Sequence, residues 1–301
     1  MQRPGRPAPV AVALDAPDLD TAARWAALVT PHVSTVKIGL ELYLRYGPDV
    51  VATVRGASGV EVFLDLKLHD IPATVAGAAR AVSRLRPEIL TVHAAGGTDV
   101  IRAAVDAAGP GTCVAAVTVL TSMGDDDLAA LGVPGPVSDV VRRMAVLAVE
   151  AGARGLVCSP HEVAAVRAEV GPDVVLITPG VRPAGADQND QARVATPEEA
   201  LRAGADLLVI GRPITGAPDP APGAAGTQLR ANPRPKSSES RDISRASKAE
   251  PLPHGHQTSP RPAEIMTGPT NLACCDCRPG TVMDTPRWVK CPAKSREKAS
   301  V

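Results

Sequence analysis

The stretch FLDLKLHDIPAT, Phe63 to Thr74, gathers Asp65, Lys67, His69 and Asp70 directly behind the apolar start Val62-Phe63-Leu64. Strand side chains alternate, so Asp65 and Lys67 share one face while Leu64, Leu66 and Leu68 take the other. An ammonium held beside a carboxylate can stabilise a developing anion and then deliver a proton to it. The same two residues could also form a structural ion pair at a sheet rim. Lys37 in TVKIG and Asp15 after AVAL weigh against that simpler reading, because they add two more opposite charges at the ends of neighbouring apolar runs.

A second group suits an anion. In ADLLVIGRPIT, Gly211 lets the backbone approach a ligand and Arg212 offers a fork of donors matched to phosphate. An arginine capping a surface helix is the alternative. The polar loop PGVRPAGADQNDQ, residues 179–191, could bring Arg182 and Gln191 over the same anion, and loops of that length are often lids. Thr121-Ser122 after VTVL and Thr178 after VVLI complete the polar run ends.

Eight short β-branched runs carry these residues: 9–15, 33–38, 60–67, 88–94, 112–120, 154–159, 173–179 and 205–211. Between them lie Ala-rich stretches such as TAARWAALVT, ATVAGAARAVSRLR, SDVVRRMAVLAVEAG and TPEEALRAG, with apolar residues at three- and four-residue spacing. Ser138 and Thr196 stand where N-caps would, with Pro197 at a first helical position. Strands alternating with helices imply parallel pairing, and eight units in about 200 residues fit a (β/α)8 TIM barrel better than an open sheet. In that fold the C-terminal strand ends carry the chemistry, which is where nearly every polar residue of these runs falls.

The chain of 301 residues is 45% apolar, enough for a sizeable core, yet it has only two Trp, two Tyr and one Phe, so Ala, Val and Leu must fill it. Its 32 basic residues balance 32 acidic ones, which gives no support for nucleic acid or an anionic membrane as partner. The start MQRPGRPAPV lacks the apolar run of a signal peptide and no segment has the length of a membrane span, so a cytoplasmic protein is expected.

Residues 1–8 read as a flexible start, 9–216 as the barrel and 217–301 as a low-complexity tail. The tail is Pro/Ser/Gly-rich, holds 13 of the 30 prolines and lacks apolar periodicity, so it is expected to be disordered and to stand in place of the last helix. Pro218, Pro220 and Pro222 argue against a regular helix just after Gly216, and a shifted reading frame would leave such a pattern. Cys274-x-x-Cys277 has a zinc-like inner spacing, but no second pair follows and Cys291 stands alone, so exposed thiols are expected rather than a metal site.

Taken together, ALD, KIG, FLDLKLHDIPAT, VTVLTSM, TPGVRP, the Asp190-Gln191 pair and VIGRPIT resemble the orotidine 5'-phosphate decarboxylase family, whose members make UMP. The likeness runs in order from about residue 9 to 216. It implies a (β/α)8 barrel, a homodimer with sites at the subunit interface, and no metal or organic cofactor. Position by position, it implies that Asp15 holds the ribose hydroxyls, that Lys37 bridges ribose and the charge network, and that Asp65 and Lys67 form the central pair with Lys67 as proton donor to C6. It further implies that Asp70 reaches into the partner's site with Ile71 and Thr74 beside it, that Thr121 and Ser122 meet the pyrimidine ring, and that Arg182, Gln191, Gly211 and Arg212 grip the phosphate. His69 and His93 match no reacting residue and are expected to support loops by hydrogen bonding. The alternatives are a related metal-dependent sugar-phosphate barrel lyase, disfavoured by HDIP and LTSM; a non-catalytic nucleotide-binding protein; or a protein impaired by loss of the last helix.

Overall fold

The computed structural model describes residues 7–182, 195–217 and 219–230, and the eight parallel strands among them close into one barrel in chain order. The order is β1 Ala8–Ala13, α1 Leu19–Val29, β2 Val33–Gly39, α2 Leu40–Tyr46, α3 Pro48–Ser58, β3 Glu61–Leu68, α4 Pro72–Ser83 and β4 Ile89–His93. A 3-10 turn at Ala94–Gly96 leads to α5 Thr98–Ala108, then β5 Cys113–Val117, α6 Asp125–Ala130, α7 Val137–Glu150 and β6 Gly155–Val157. The chain continues with α8 Val163–Val170, β7 Val175–Thr178, α9 Pro197–Ala203, β8 Leu207–Ile210, α10 Arg212–Thr215 and α11 Ala221–Arg230. All eight expected strands are present. Among the described residues no helix is long and apolar enough to cross a membrane.

Two apolar layers explain why the strand runs are nearly continuous. One face of each strand packs under the helices, where Val10, Val36, Leu64, Leu90 and Leu156 meet Ala22, Val54, Ala79 and Val141. The other face fills the barrel with Ala11, Phe63, Ile89, Cys113, Ala115, Val175, Ile177 and Leu207. Phe63, the only phenylalanine of the chain, is 1% exposed and supplies the bulk that the small neighbours lack. Gly155 makes room opposite: a Cβ there would lie 2.9 Å from Ala115 Cβ and 3.1 Å from Cys113 Sγ. Burial pushes the Cys113 thiol up to about 11, so it packs as a small apolar group.

Two local expectations are corrected. Ser138 does not cap α7; Pro136 does, and the first-turn amide of Val137 donates to Asp125 Oδ1 at 2.7 Å. A carboxylate from the preceding helix thus does the work assigned to the hydroxyl. Thr196 does cap α9, accepting from Glu199 N at 3.3 Å while the Glu199 carboxylate accepts from Thr196 N at 2.9 Å, with Pro197 at the first helical position.

The second correction concerns the chain end. The prolines after Gly216 do not prevent a closing helix, because α11 spans Ala221–Arg230 and lies against α10, α1 and α9. Pro220 precedes it and Pro222 falls in its first turn, where a missing N–H costs no hydrogen bond. Asp219 Oδ1 accepts from Ala221 N at 3.0 Å, Ala224 is fully buried, and Gly223 brings the helix close to α10, with 3.4 Å from its Cβ position to Ile214 Cα. The tail beyond Arg230, with its cysteines, lies outside the described residues.

Candidate active site

The C-terminal strand ends open into a cavity of about 400 Å³. Phe63, Val157 and Val209 belong both to its lining and to the interior cluster, so the cavity sits directly on the barrel core. Above that apolar base the charges converge. Lys67 Nζ lies 2.9 Å and Lys37 Nζ 3.4 Å from Asp65 Oδ2, and Lys37 Nζ lies 3.9 Å from Asp15 Oδ1. β2 and β3 make this possible by register: Lys37 pairs with Phe63 and Gly39 with Asp65, so Lys37 stands two residues before the level of Asp65 on the neighbouring strand and Lys67 two residues after it on the same strand.

Asp65 is 8% exposed. Burial pushes its carboxyl up, but the Lys37 and Lys67 ammoniums, with hydrogen bonds from Lys67 and Thr91, more than offset that and hold it below the usual carboxylate range. Gly39 is small for a reason, since a Cβ there would stand 3.2 Å from Lys37 Nζ and 3.5 Å from Asp15 Oδ1. Lys67 is itself unusual: its φ of 49° places a non-glycine residue in the left-handed region, which costs about 1–2 kcal/mol. From that conformation its ammonium reaches Asp65 and its backbone N–H donates to Thr91 Oγ1 at 2.9 Å.

Arg182, Gly211 and Arg212 line the same cavity and offer groups that fit an anion, with the Gly211 Cβ position 3.8 Å from Asp15 Oδ2. Arg212 is the first residue of the four-residue α10, directly after Gly211. Residues 8–226 match the family described as Orotidine 5'-phosphate decarboxylase / HUMPS.

The chain belongs to that family.

Relatives include orotidine 5'-phosphate decarboxylase of Thermobifida fusca, 74% identical over 224 residues that make up 74% of this chain and 95% of that one. That of Frankia casuarinae is 60% identical, over 71% of this chain and 84% of its own. Among solved structures, orotidine 5'-phosphate decarboxylase from Lactobacillus acidophilus superposes with a TM-score of 0.65 at 35% identity, covering 76% of this chain and all of that one.

For a member of the orotidine 5'-phosphate decarboxylase / HUMPS family, the placement of the expected residues divides in three. Asp15, Lys37, Asp65, Lys67, Thr121, Ser122, Arg182, Gly211 and Arg212 all line the one cavity. Asp70, Ile71 and Thr74 do not line it; they are exposed beyond β3 and at the start of α4, with Ile71 66% exposed and its N–H donating to Asp70 Oδ1 at 2.6 Å. Gln191 and Asp190 lie outside the described residues. His69 and His93 support their loops differently from expectation: among the described residues the rings stack, centroids 5.1 Å apart, and His93 Nδ1 has no hydrogen-bond partner. Burial, then the nearby His69 and Lys67, lower the His93 pKa, so it stays neutral at pH 7 beside the Lys67 ammonium.

Three contributors escaped the sequence reading. Thr91, fully buried in β4, donates to Asp65 Oδ1 at 3.0 Å. Its signal was a polar residue two positions before His93, hence on the inward face. Gly39 and the cavity-lining Cys158 carried no comparable signal, since their roles depend on which strands become neighbours.

Proposed function

We propose that the chain decarboxylates orotidine 5'-phosphate to UMP and CO2 as a cofactor-free carboxy-lyase of pyrimidine biosynthesis. The observation that carries this reading is the buried Asp65 carboxylate flanked by Lys67 and Lys37 at 2.9 and 3.4 Å on the wall of a single cavity. Identity of 74% to a protein named for this activity supports it.

In this reading the C–C bond to the carboxylate breaks, CO2 leaves, and the electron pair remains at C6 of the pyrimidine. The Lys67 ammonium stabilises that developing charge and then transfers its proton to C6; solvent later reprotonates the amine. Asp65 keeps Lys67 charged and aimed. It also stands near the substrate carboxylate, where two like charges ~4 Å apart repel by roughly 4 kcal/mol at an effective dielectric of 20, a strain released with CO2. Arg182, Gln191, Gly211 and Arg212 hold the phosphate, and that distant binding energy offsets the strain at the reacting carbon. Asp15 takes the ribose hydroxyls, Lys37 bridges ribose and network, and Thr121 and Ser122 meet the ring.

The exposure of Asp70, Ile71 and Thr74 supports a homodimer in which they complete the partner's site. Mixing Asp70→Asn with Lys67→Ala subunits then restores about a quarter of parental activity, because half the dimers are mixed and each has one intact site. Additive residual activity without recovery would count against the trans arrangement. The deciding assay for the whole reading is the spectrophotometric loss of orotidine 5'-phosphate on purified protein, in EDTA, with Lys67→Ala as control. Turnover insensitive to EDTA and abolished in the variant is expected; activity surviving Lys67→Ala overturns the mechanism, and activity lost to EDTA points to the metal-dependent sugar-phosphate lyases instead.

A further inference from the structure

We propose that Thr91 is a positioning residue for the Asp65–Lys67 pair, its buried hydroxyl replacing a broken stretch of the β3–β4 ladder and fixing both partners at once. The inference rests on the reading of Lys67 as proton donor.

The pairing of β3 with β4 is irregular where the chemistry sits. Phe63 and Leu64 pair with Ile89 and Leu90, and pairing resumes only at Leu68 with Val92. Four residue steps on β3, from Leu64 to Leu68, therefore run opposite two on β4, from Leu90 to Val92, so Asp65, Leu66 and Lys67 have no register partner there. An extra length of strand bends the chain and frees backbone groups, and such irregularities re-aim side chains beside active sites. Here the consequence is visible at Lys67, whose φ of 49° departs from the strand.

A freed N–H inside the barrel needs an acceptor. The Lys67 N–H donates to Thr91 Oγ1 at 2.9 Å, and the same hydroxyl donates its single proton to Asp65 Oδ1 at 3.0 Å. The hydroxyl's direction is thereby set: it accepts from the backbone of the lysine and donates to the side chain of the aspartate. The two Asp65 oxygens divide accordingly, Oδ1 to Thr91 and Oδ2 to the two ammoniums. Thr91 is 0% exposed, and a β-branched side chain on a strand has little χ1 freedom, so the anchor is stiff. Without it the carboxylate can rotate and the Lys67 backbone can relax toward an extended conformation, and displacements of the order of 1 Å cost about a hundredfold in rate.

The test is a series at position 91 in the full chain: Thr91→Ser, Thr91→Val, Thr91→Cys and Thr91→Ala, each assayed for kcat, KM and the acid limb of the pH profile, with Lys67→Ala alongside. The expected order follows the hydroxyl. Thr91→Ser keeps kcat within about threefold, whereas the three others fall about ten- to a hundredfold with KM little changed. In those three the acid limb moves to higher pH, since the Thr91 hydroxyl helps keep Asp65 ionised. The series survives the failure of any one variant to fold, because the order among the rest decides. An order that follows side-chain volume, with Val and Cys above Ser and Ala, or a kcat in Thr91→Val within about twofold of the parent, overturns the proposal. Activity in Lys67→Ala removes the reading of Lys67 and the proposal with it; an inactive Lys67→Ala beside hydroxyl-independent rates removes the role of Thr91 alone.

Discussion

At the scale of single residues the decisive quantity is charge balance around Asp65. Burial alone would raise its carboxyl pKa, and the two lysines reverse the sign. A carboxyl whose folded pKa lies below its unfolded value contributes stability above that value and loses it as pH falls through the folded one. Replacing Lys67 or Lys37 by Met removes a lowering cause while burial remains, so the carboxyl rises and the acid-unfolding midpoint followed by circular dichroism moves to higher pH. An unmoved midpoint in both variants would mean that the lysines do not set the ionisation of Asp65. His93 works in the opposite pH direction from a paired histidine. Its folded pKa is lowered, so below about 6.5, the ordinary value, the unfolded chain takes up a proton that the folded one refuses, and stability declines. His93→Gln is expected to flatten the decline in urea-unfolding free energy between about pH 6.5 and 5, and a slope equal to that of the parent would rule this out.

At the scale of elements, the barrel interior tolerates little addition. Gly155→Ala would press a methyl to 2.9 Å from Ala115 and 3.1 Å from Cys113, and is expected to cost about 1–3 kcal/mol in urea unfolding, with the cavity residues untouched. A change under about 0.5 kcal/mol would indicate that β5 and β6 can part to admit it. The eight strands could be read from the sequence because each is a short β-branched run, and their polar ends were visible because polarity is rare there. The interior partnership of Gly155 was not, since it depends on Cys113 and Ala115 arriving on the neighbouring strand. Lys67 shows the same limit: alternation put it on the face of Asp65, and it does reach that carboxylate, yet through a left-handed backbone that no glycine announces. Ser138 was misread because the competing carboxylate, Asp125, sits on a different helix.

At the scale of the whole molecule, the reading of the chain end turned on where prolines fall rather than how many there are. Pro220 and Pro222 bracket the start of α11, a place that accepts them, while small Gly223 and Ala224 let the helix lie against α10 and α1. The family match ends at residue 226, inside this helix. The matched part of α11, residues 221–226, thus extends past the boundary that composition placed at Gly216, and the helix lies against α10, α1 and α9. A chain ending at Arg230 is expected to keep the melting temperature and turnover of the full-length protein. A chain ending at Gly216 loses the cover over Ile214, which is 1% exposed, and the burial of Ala224, at a cost of about 2–4 kcal/mol. For a folded unit of about 220 residues that corresponds to a drop of roughly 4–16 °C in Tm. Because Arg212 opens α10, against which α11 packs, the shorter chain is also expected to raise KM more than it lowers kcat. Equal melting temperatures for the two truncations would show that α11 contributes nothing to the barrel, and the composition-based boundary at Gly216 would stand after all.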